Sequence, residues 1–156
     1  MPKSDVLRLT AWCADKGIRL LVDESFVDFT YGYAANSLLH NDILAANPHM
    51  MVIKSYDKYE KDYAKACDRF IAERETFYAE LQAIPYLRVI PSQANYFLCE
   101  VTKKYTSAEL VQKLIERNVM VSDCGLKSNM NGRNLVRLAI RSREDNERLV
   151  GILRTL

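Results

Sequence analysis

Ile18-Arg19-Leu20-Leu21-Val22-Asp23-Glu24-Ser25-Phe26-Val27-Asp28 is the stretch whose reading decides the fold. Leu20 to Val22 is a continuous apolar run, the pattern of a strand covered on both faces. Three carboxylates follow it: Asp23, Glu24 and Asp28. Strands of this kind lie inside α/β sheets, and ligands bind beyond their carboxyl ends. Asp23 stands at that end and is the first candidate for chemistry. The competing reading makes Asp23 and Glu24 solvated loop acids, and the stretch taken alone favours it.

Upstream, Ser4 is a good N-cap for a helix through about Lys16, with Leu9, Trp12 and Cys13 on one face. Gly17 stops that helix, and the strand begins at once. Helix followed by buried strand is the αβ half of a parallel unit. Downstream, Phe29 to Asn36 reads as a loop, and Ser37 caps a short helix from Leu38 to Ala46. Met50-Met51-Val52-Ile53 is a second short buried strand. It delivers Lys54 and Ser55 to a strand end, as the first strand delivers Asp23.

From Tyr56 to Ala83 the spacing predicts one long helix. Tyr59, Tyr63, Ala66, Phe70, Phe77 and Leu81 form its apolar stripe. The charged residues, Arg69, Glu73 and Glu75 among them, lie mostly off the stripe and read as a solvated face. Leu87–Ile90 and Tyr96–Val101 are strands around the turn Pro91-Ser92-Gln93-Ala94-Asn95. Ser107 caps a helix through Arg117. Val119–Val121 and Leu135–Ile140 are further strands, and Ser142 caps a last helix through Leu153. The organisation divides at the start of the long helix: 1–55 is a parallel α/β fragment, and 56–156 is a compact α+β lobe.

The bulk composition narrows the function classes. The chain has 156 residues, 22 of them basic and 20 acidic, for a formal charge of +2. That balance makes no electrostatic case for nucleic acid or an anionic membrane. No apolar run reaches the roughly 20 residues of a membrane span. The opening Met1-Pro2-Lys3-Ser4 leads into a helix with no signal-peptide core. Cys13, Cys67, Cys99 and Cys124 are scattered, with no CxxC pair, and read as reduced thiols of a cytoplasmic protein. His40 and His49 lack partners at metal-ligand spacing, and no metal site is expected. In Leu135-Val136-Arg137-Leu138-Ala139-Ile140-Arg141, the period of two puts Arg137 and Arg141 on one strand face. Two guanidiniums there either grip a carboxylate or phosphate, or simply make a basic outer face.

Four segments, in order, carry a resemblance. They are Leu21-Val22-Asp23-Glu24-Ser25-Phe26-Val27-Asp28-Phe29, Val52-Ile53-Lys54-Ser55, Ser92-Gln93-Ala94-Asn95-Tyr96-Phe97, and Val136-Arg137 through Asn146. The chain resembles fold-type I pyridoxal-phosphate enzymes of aminotransferase class I/II. Its nearest likeness is to the histidinol-phosphate aminotransferase and threonine-phosphate decarboxylase branch. The resemblance implies part of the parallel-sheet large domain followed by the α+β small C-terminal domain. It implies an aminotransferase acting on an amino acid or amino-acid-like phosphate. The alternatives are a decarboxylase of the same cofactor class and a non-catalytic α/β fragment that does not bind the cofactor by itself.

The resemblance also implies roles. Asp23 would pair with the pyridinium nitrogen of pyridoxal 5'-phosphate. Phe26 occupies the place of a tyrosine that bonds the cofactor's phenolic oxygen. Ser55 would lie by the cofactor, and Lys58 has the spacing of the cofactor-binding lysine. By its own residues, Lys58 reads better as a solvated lysine of the long helix. Asn95 would lie near the substrate, and Arg137 would hold its α-carboxylate. Ser122 stands where the phosphate-substrate branch often has an arginine. The glycine-containing loop that follows the lysine in the family is missing, so the chain reads as truncated and internally deleted. Small amino and keto acids are the implied ligands, and a homodimer, or self-association through open sheet edges, is the implied assembly.

Overall fold

The apolar run becomes strand β1 (Leu20–Asp23), preceded by helix α1 (Lys3–Asp15). These and the following elements come from a computed structural model, which describes residues 1–54, 60–125, 127, 130 and 132–156. Among the described residues β1 pairs in parallel with β2 (Met50–Ile53), Leu20 opposite Met50 and Asp23 opposite Ile53. The chain divides into two compact units, Met1–Asp68 and Arg69–Leu156.

In the first unit, Val6, Leu38 and Met50 form the buried core, with Leu20, Val22 and Val52 packed against it. Successive strand residues face opposite ways, so this core takes alternate side chains of β1 and β2. The others, Leu21, Met51 and Ile53, are 58, 56 and 49% exposed. The expectation of a strand covered on both faces is therefore corrected: the described residues of this unit provide a layer for one face only. Helix α1 buries Val6, Thr10 and Cys13, a strip at helical spacing. Leu9 and Trp12, read from sequence as sharing a face with Cys13, lie beside that strip and are exposed. Ser4 does not cap the helix, whose N-cap is Pro2.

Between the strands come a 3-10 turn (Val27–Phe29) and two short helices, α2 (Tyr33–Asn36) and α3 (Asn41–Ala46). The region read as a loop and one helix thus holds two helices. Ser37 lies between them: its hydroxyl donates to Glu24 Oε2 at 2.8 Å, and its oxygen accepts from Leu39 N at 3.1 Å. Glu24 Oε1 accepts from Leu38 N at 2.6 Å. Glu24 is 5% exposed, so it is a structural acid and not a solvated one.

Helix α4 (Glu60–Gln82) is the long helix of the sequence reading. Its residues up to Asp68 belong to the first unit and those from Arg69 to the second. In the first unit the Tyr63 hydroxyl donates to Asp28 Oδ2 at 3.2 Å.

The second unit is an antiparallel sheet of β3 (Leu87–Ile90), β4 (Tyr96–Val101), β5 (Ser122–Asp123) and β6 (Leu135–Ala139), in the order β3-β4-β6-β5. Strand β5 begins one residue beyond the run, Val119–Val121, that the sequence singled out. Helices α5 (Ser107–Ile115) and α6 (Arg143–Thr155) complete the unit. Thr106, not Ser107, caps α5, through a capping box with Glu109. Ser142 caps α6 as expected, accepting from Asp145 N at 3.3 Å. Phe77, Leu81, Phe97, Leu110, Leu114, Val136, Leu138 and Leu153 are buried together in one core. The inward residues of β4 and β6 belong to it, and this leaves Tyr96, Arg137 and Ala139 on the other face.

Candidate functional site

The candidate residues fall in the two units, and each group is described by itself. In the first unit, Asp23 ends β1 and is exposed. Its Oδ1 accepts from the Ser25 hydroxyl at 2.5 Å and from Ser25 N at 2.9 Å. Those two bonds, the hydroxyl's first, hold the Asp23 carboxyl below the ordinary aspartate value. The result is an ionised, solvent-accessible carboxylate at the carboxyl end of a parallel pair. Phe26 is 51% exposed, with its ring 6.1 Å from that of Phe29. It brings no hydroxyl to the site.

Lys54, delivered to the same end by β2, is turned away from solvent. Its Nζ bonds Asp28 Oδ1 at 2.6 Å, and Asp28 is 3% exposed. The Tyr63 hydroxyl also donates to Asp28, and Tyr63 is hydrogen-bonded with Cys67 as well. Burial, reinforced by the Asp28 charge, pushes the Tyr63 phenol above its ordinary range. Lys54 is therefore the partner of a buried acid and has no free amine for chemistry. Sequence reading placed Lys54 at a strand end but did not pair it with Asp28. Ser55 and Lys58 lie outside the described residues.

In the second unit, Asn95 is exposed at the end of the turn before β4. Its backbone carbonyl accepts from Ile140 N at 3.0 Å, closing the turn onto the end of β6. Arg137 is exposed on β6, opposite Leu98 of β4 and Ser122 of β5. Its guanidinium carbon lies 5.3 Å from the centroid of the Tyr96 ring, within cation–π range. The structure thus places Asn95 in the turn before β4 and Arg137 on the neighbouring strand β6. It does not make Arg141 a second gripping guanidinium. Strand β6 ends at Ala139, and Arg141 Nε bonds Asp145 Oδ2 at 2.9 Å.

One residue of this region was missed. Arg74 of α4 is 0% exposed, and its Nη1 donates to the Gln93 carbonyl in the Asn95 turn at 3.0 Å. The signal was present in the sequence: the stripe passes from Phe70 to Phe77, and position 74 is the helical step between them.

No helix of the described residues is long and apolar enough to cross a membrane. The sequence profile of Aminotransferase class I and II matches residues 45–153. Histidinol-phosphate aminotransferase 2 of Archaeoglobus fulgidus is 35% identical over 94 residues, 60% of this chain and 26% of that protein. The uncharacterized protein y4rO of Sinorhizobium fredii is 23% identical over 203 aligned positions, which take in 100% of this chain and 32% of that one. Since the chain has 156 residues, at least 47 of those positions (203 minus 156) have no counterpart in it. The crystal structure of the histidinol-phosphate aminotransferase from Clostridium acetobutylicum superposes with a TM-score of 0.83 at 17% identity, covering 99% of this chain and 59% of that one. At such identity the likeness is one of fold, and it extends over β1 and Asp23, which the profile does not reach. The chain spans less than two thirds of each of these proteins. The profile match takes in more than half of its residues, and on that ground the chain belongs to the class I and II aminotransferases.

Proposed function

We propose that this chain is the part of a pyridoxal-phosphate-dependent aminotransferase that presents the acid for the cofactor's ring nitrogen and the arginine for the substrate's carboxylate. The observation that carries the reading is Arg137, exposed on β6 beside Tyr96, the residue that follows Asn95. A guanidinium on such a face takes a carboxylate through two parallel N–H donors, and so fixes the ligand's orientation.

The described residues fit the cofactor at one point. Asp23 is exposed and held ionised by Ser25, and it would keep the ring nitrogen protonated. When bound, pyridoxal phosphate supplies an electron sink for the pair left at the substrate Cα. Arg137 holds the carboxylate and thereby selects which Cα bond is aligned for cleavage. Asn95 contacts the substrate from the neighbouring turn. Lys58 is the candidate amine for the cofactor, and Ser55 a candidate contact to it. Phe26 leaves the phenolic oxygen without the usual donor. Ser122, across from Arg137, adds no second cation there, which favours a substrate without a phosphate at that place. The ligands of the reading are small amino and keto acids.

The test uses the chain itself. It is titrated with 2-oxoglutarate while Arg137 and Asn95 are followed by NMR. Binding at these residues is expected, weakened about tenfold or more in Arg137→Met, the size of a lost charge-assisted hydrogen bond. A titration that leaves both residues unmoved would overturn the reading. Pyridoxal phosphate followed by borohydride is expected to give no stoichiometric adduct in the 156-residue chain, because the loop that follows the lysine in the family is missing. A stoichiometric adduct on Lys58 would show that the chain completes the site alone. With the complete enzyme, keto-acid product marks amino transfer, and carbon dioxide marks decarboxylation.

The reading extends to assembly in a cytoplasmic homodimer. Leu21, Met51 and Ile53 form an open apolar face on β1 and β2, with Phe26 exposed beyond the strand end. Such faces and edges favour association. Sedimentation is expected to show mass rising with concentration, and Leu21→Glu with Met51→Lys is expected to restore the monomer. A wild-type chain that stays monomeric at every concentration would count against it.

A further inference from the structure

Arg74 is the largest fully buried side chain of the described residues. It lies on α4 where the stripe of Phe70, Phe77 and Leu81 calls for an apolar residue, four positions after Phe70 and three before Phe77. A buried guanidinium costs several kcal/mol unless its donors are met, and a methionine would fill similar space without that cost. What methionine cannot do is donate. Arg74 Nε bonds Glu75 Oε1 at 3.0 Å, and Nη1 donates to the Gln93 carbonyl at 3.0 Å. Gln93 is the middle of the turn from Pro91 to Asn95. Two further bonds of that turn are short-range or lead to the residue after β6: Ala94 N donates to Ser92 Oγ at 3.1 Å, and Ile140 N to the Asn95 carbonyl at 3.0 Å. The bond from Arg74 ties the apex of the turn to the helix. A core position that breaks the local pattern marks a functional demand more often than a defect.

We propose that Arg74 is a positioning residue: through the Gln93 carbonyl it sets the backbone of the turn that presents Asn95, and with it the affinity of the Asn95–Arg137 pair for a carboxylate. The part concerning affinity rests on the function proposed above; the part concerning the turn does not.

The experiment compares the wild-type chain with Arg74→Met and Arg74→Lys, and reads two quantities. The first is amide exchange at Ala94 and Ile140, measured against Cys99 and Val136 in the sheet core. The second is the affinity for 2-oxoglutarate by NMR titration. Arg74→Met is expected to speed exchange at Ala94 and Ile140 about tenfold or more while Cys99 and Val136 keep their protection. It is expected to weaken 2-oxoglutarate about tenfold. Arg74→Lys, which keeps one donor, is expected to recover at least half of both losses on a logarithmic scale. Unchanged exchange at Ala94 and Ile140 in Arg74→Met would overturn the proposal. So would loss of protection in the turn and the core to the same degree, which marks a merely structural role. If Arg74→Met does not fold, Arg74→Lys decides: exchange raised at the turn but not in the core supports positioning, and any other pattern refutes it. If the wild-type chain shows no response to 2-oxoglutarate, the carboxylate reading fails, and the exchange data alone judge Arg74.

Discussion

Replacing Lys54 by methionine is expected to lower the stability of the Met1–Asp68 unit by about 3 kcal/mol. Lys54 Nζ is 2.6 Å from Asp28 Oδ1, and the two side chains are 18 and 5% exposed. Removing the cation leaves an anion in the interior with the Tyr63 hydroxyl, 3.2 Å away, as its remaining partner in this cluster. The cost is that of the stranded charge, not the worth of the pair, and the distinction can be tested. Asp28→Leu combined with Lys54→Met removes both charges together and is expected to recover most of the loss. Urea unfolding followed by Trp12, the single tryptophan and a residue of α1, reports on this unit. A Lys54→Met midpoint that corresponds to less than about 0.5 kcal/mol would mean that water already solvates Asp28.

This pair also shows where the sequence stops being legible. The strands, the long helix and the closing α+β lobe follow from local pattern: apolar runs of four to six residues, an apolar stripe of helical period, and capping residues before helices. Ser142 is an instance in which a local signal and the structure agree. Ser37 is the opposite. It has the chemistry of an N-cap and accepts from Leu39 N, but the helix it was read to cap begins only at Asn41. Glu24 reads as a loop acid, and Asp28 is given no role, because nothing nearby in sequence neutralises them. Their partners lie 13 to 26 residues away, at Ser37 and Lys54. Arg141 was placed beside Arg137 by strand period, a rule that ceases to apply once β6 ends at Ala139. Arg74 was hidden for a related reason: a charge between apolar stripe positions looks like part of a solvated face until the segment that accepts its bond is known. Of the candidate residues, the sequence showed only positions: Asp23 at a strand end, Asn95 in a turn and Arg137 on a strand face. What holds those positions in place involves residues distant in sequence, and pattern does not reach it.

The Arg69–Leu156 unit is expected to lose stability steeply on the alkaline side, on the order of 5 kcal/mol between about pH 9 and pH 12. Two buried groups are responsible. Burial pushes the Cys99 thiol from an ordinary 9.0 up to about 12. Burial, with the neighbouring Tyr105 in addition, pushes the Tyr86 phenol from 10.0 up to about 12. Cys99 is 0% and Tyr86 5% exposed, so ionising either in place would put an uncompensated anion into the core. Both pKa values are raised on folding. Below about pH 9 native and unfolded chains carry the same protons on these groups, and their full contribution is present. Above it the unfolded chain releases protons that the native chain retains, so stability falls as pH rises. The fall ends near pH 12, where the native groups titrate as well. Tyr86 has a further part, since its hydroxyl donates to the Leu153 carbonyl at 2.6 Å and anchors the last turns of α6; the phenolate has no proton to give. Urea midpoints measured in steps across this range would show the slope. Cys99→Ala is expected to lower stability at neutral pH through the space it leaves, and to move the onset of the alkaline loss from about pH 9 to about pH 10, the ordinary phenol value. Tyr86→Phe is expected to make the loss shallower above pH 10 while leaving its onset at Cys99. An onset that stays at pH 9 in Cys99→Ala would assign the loss to groups outside this core.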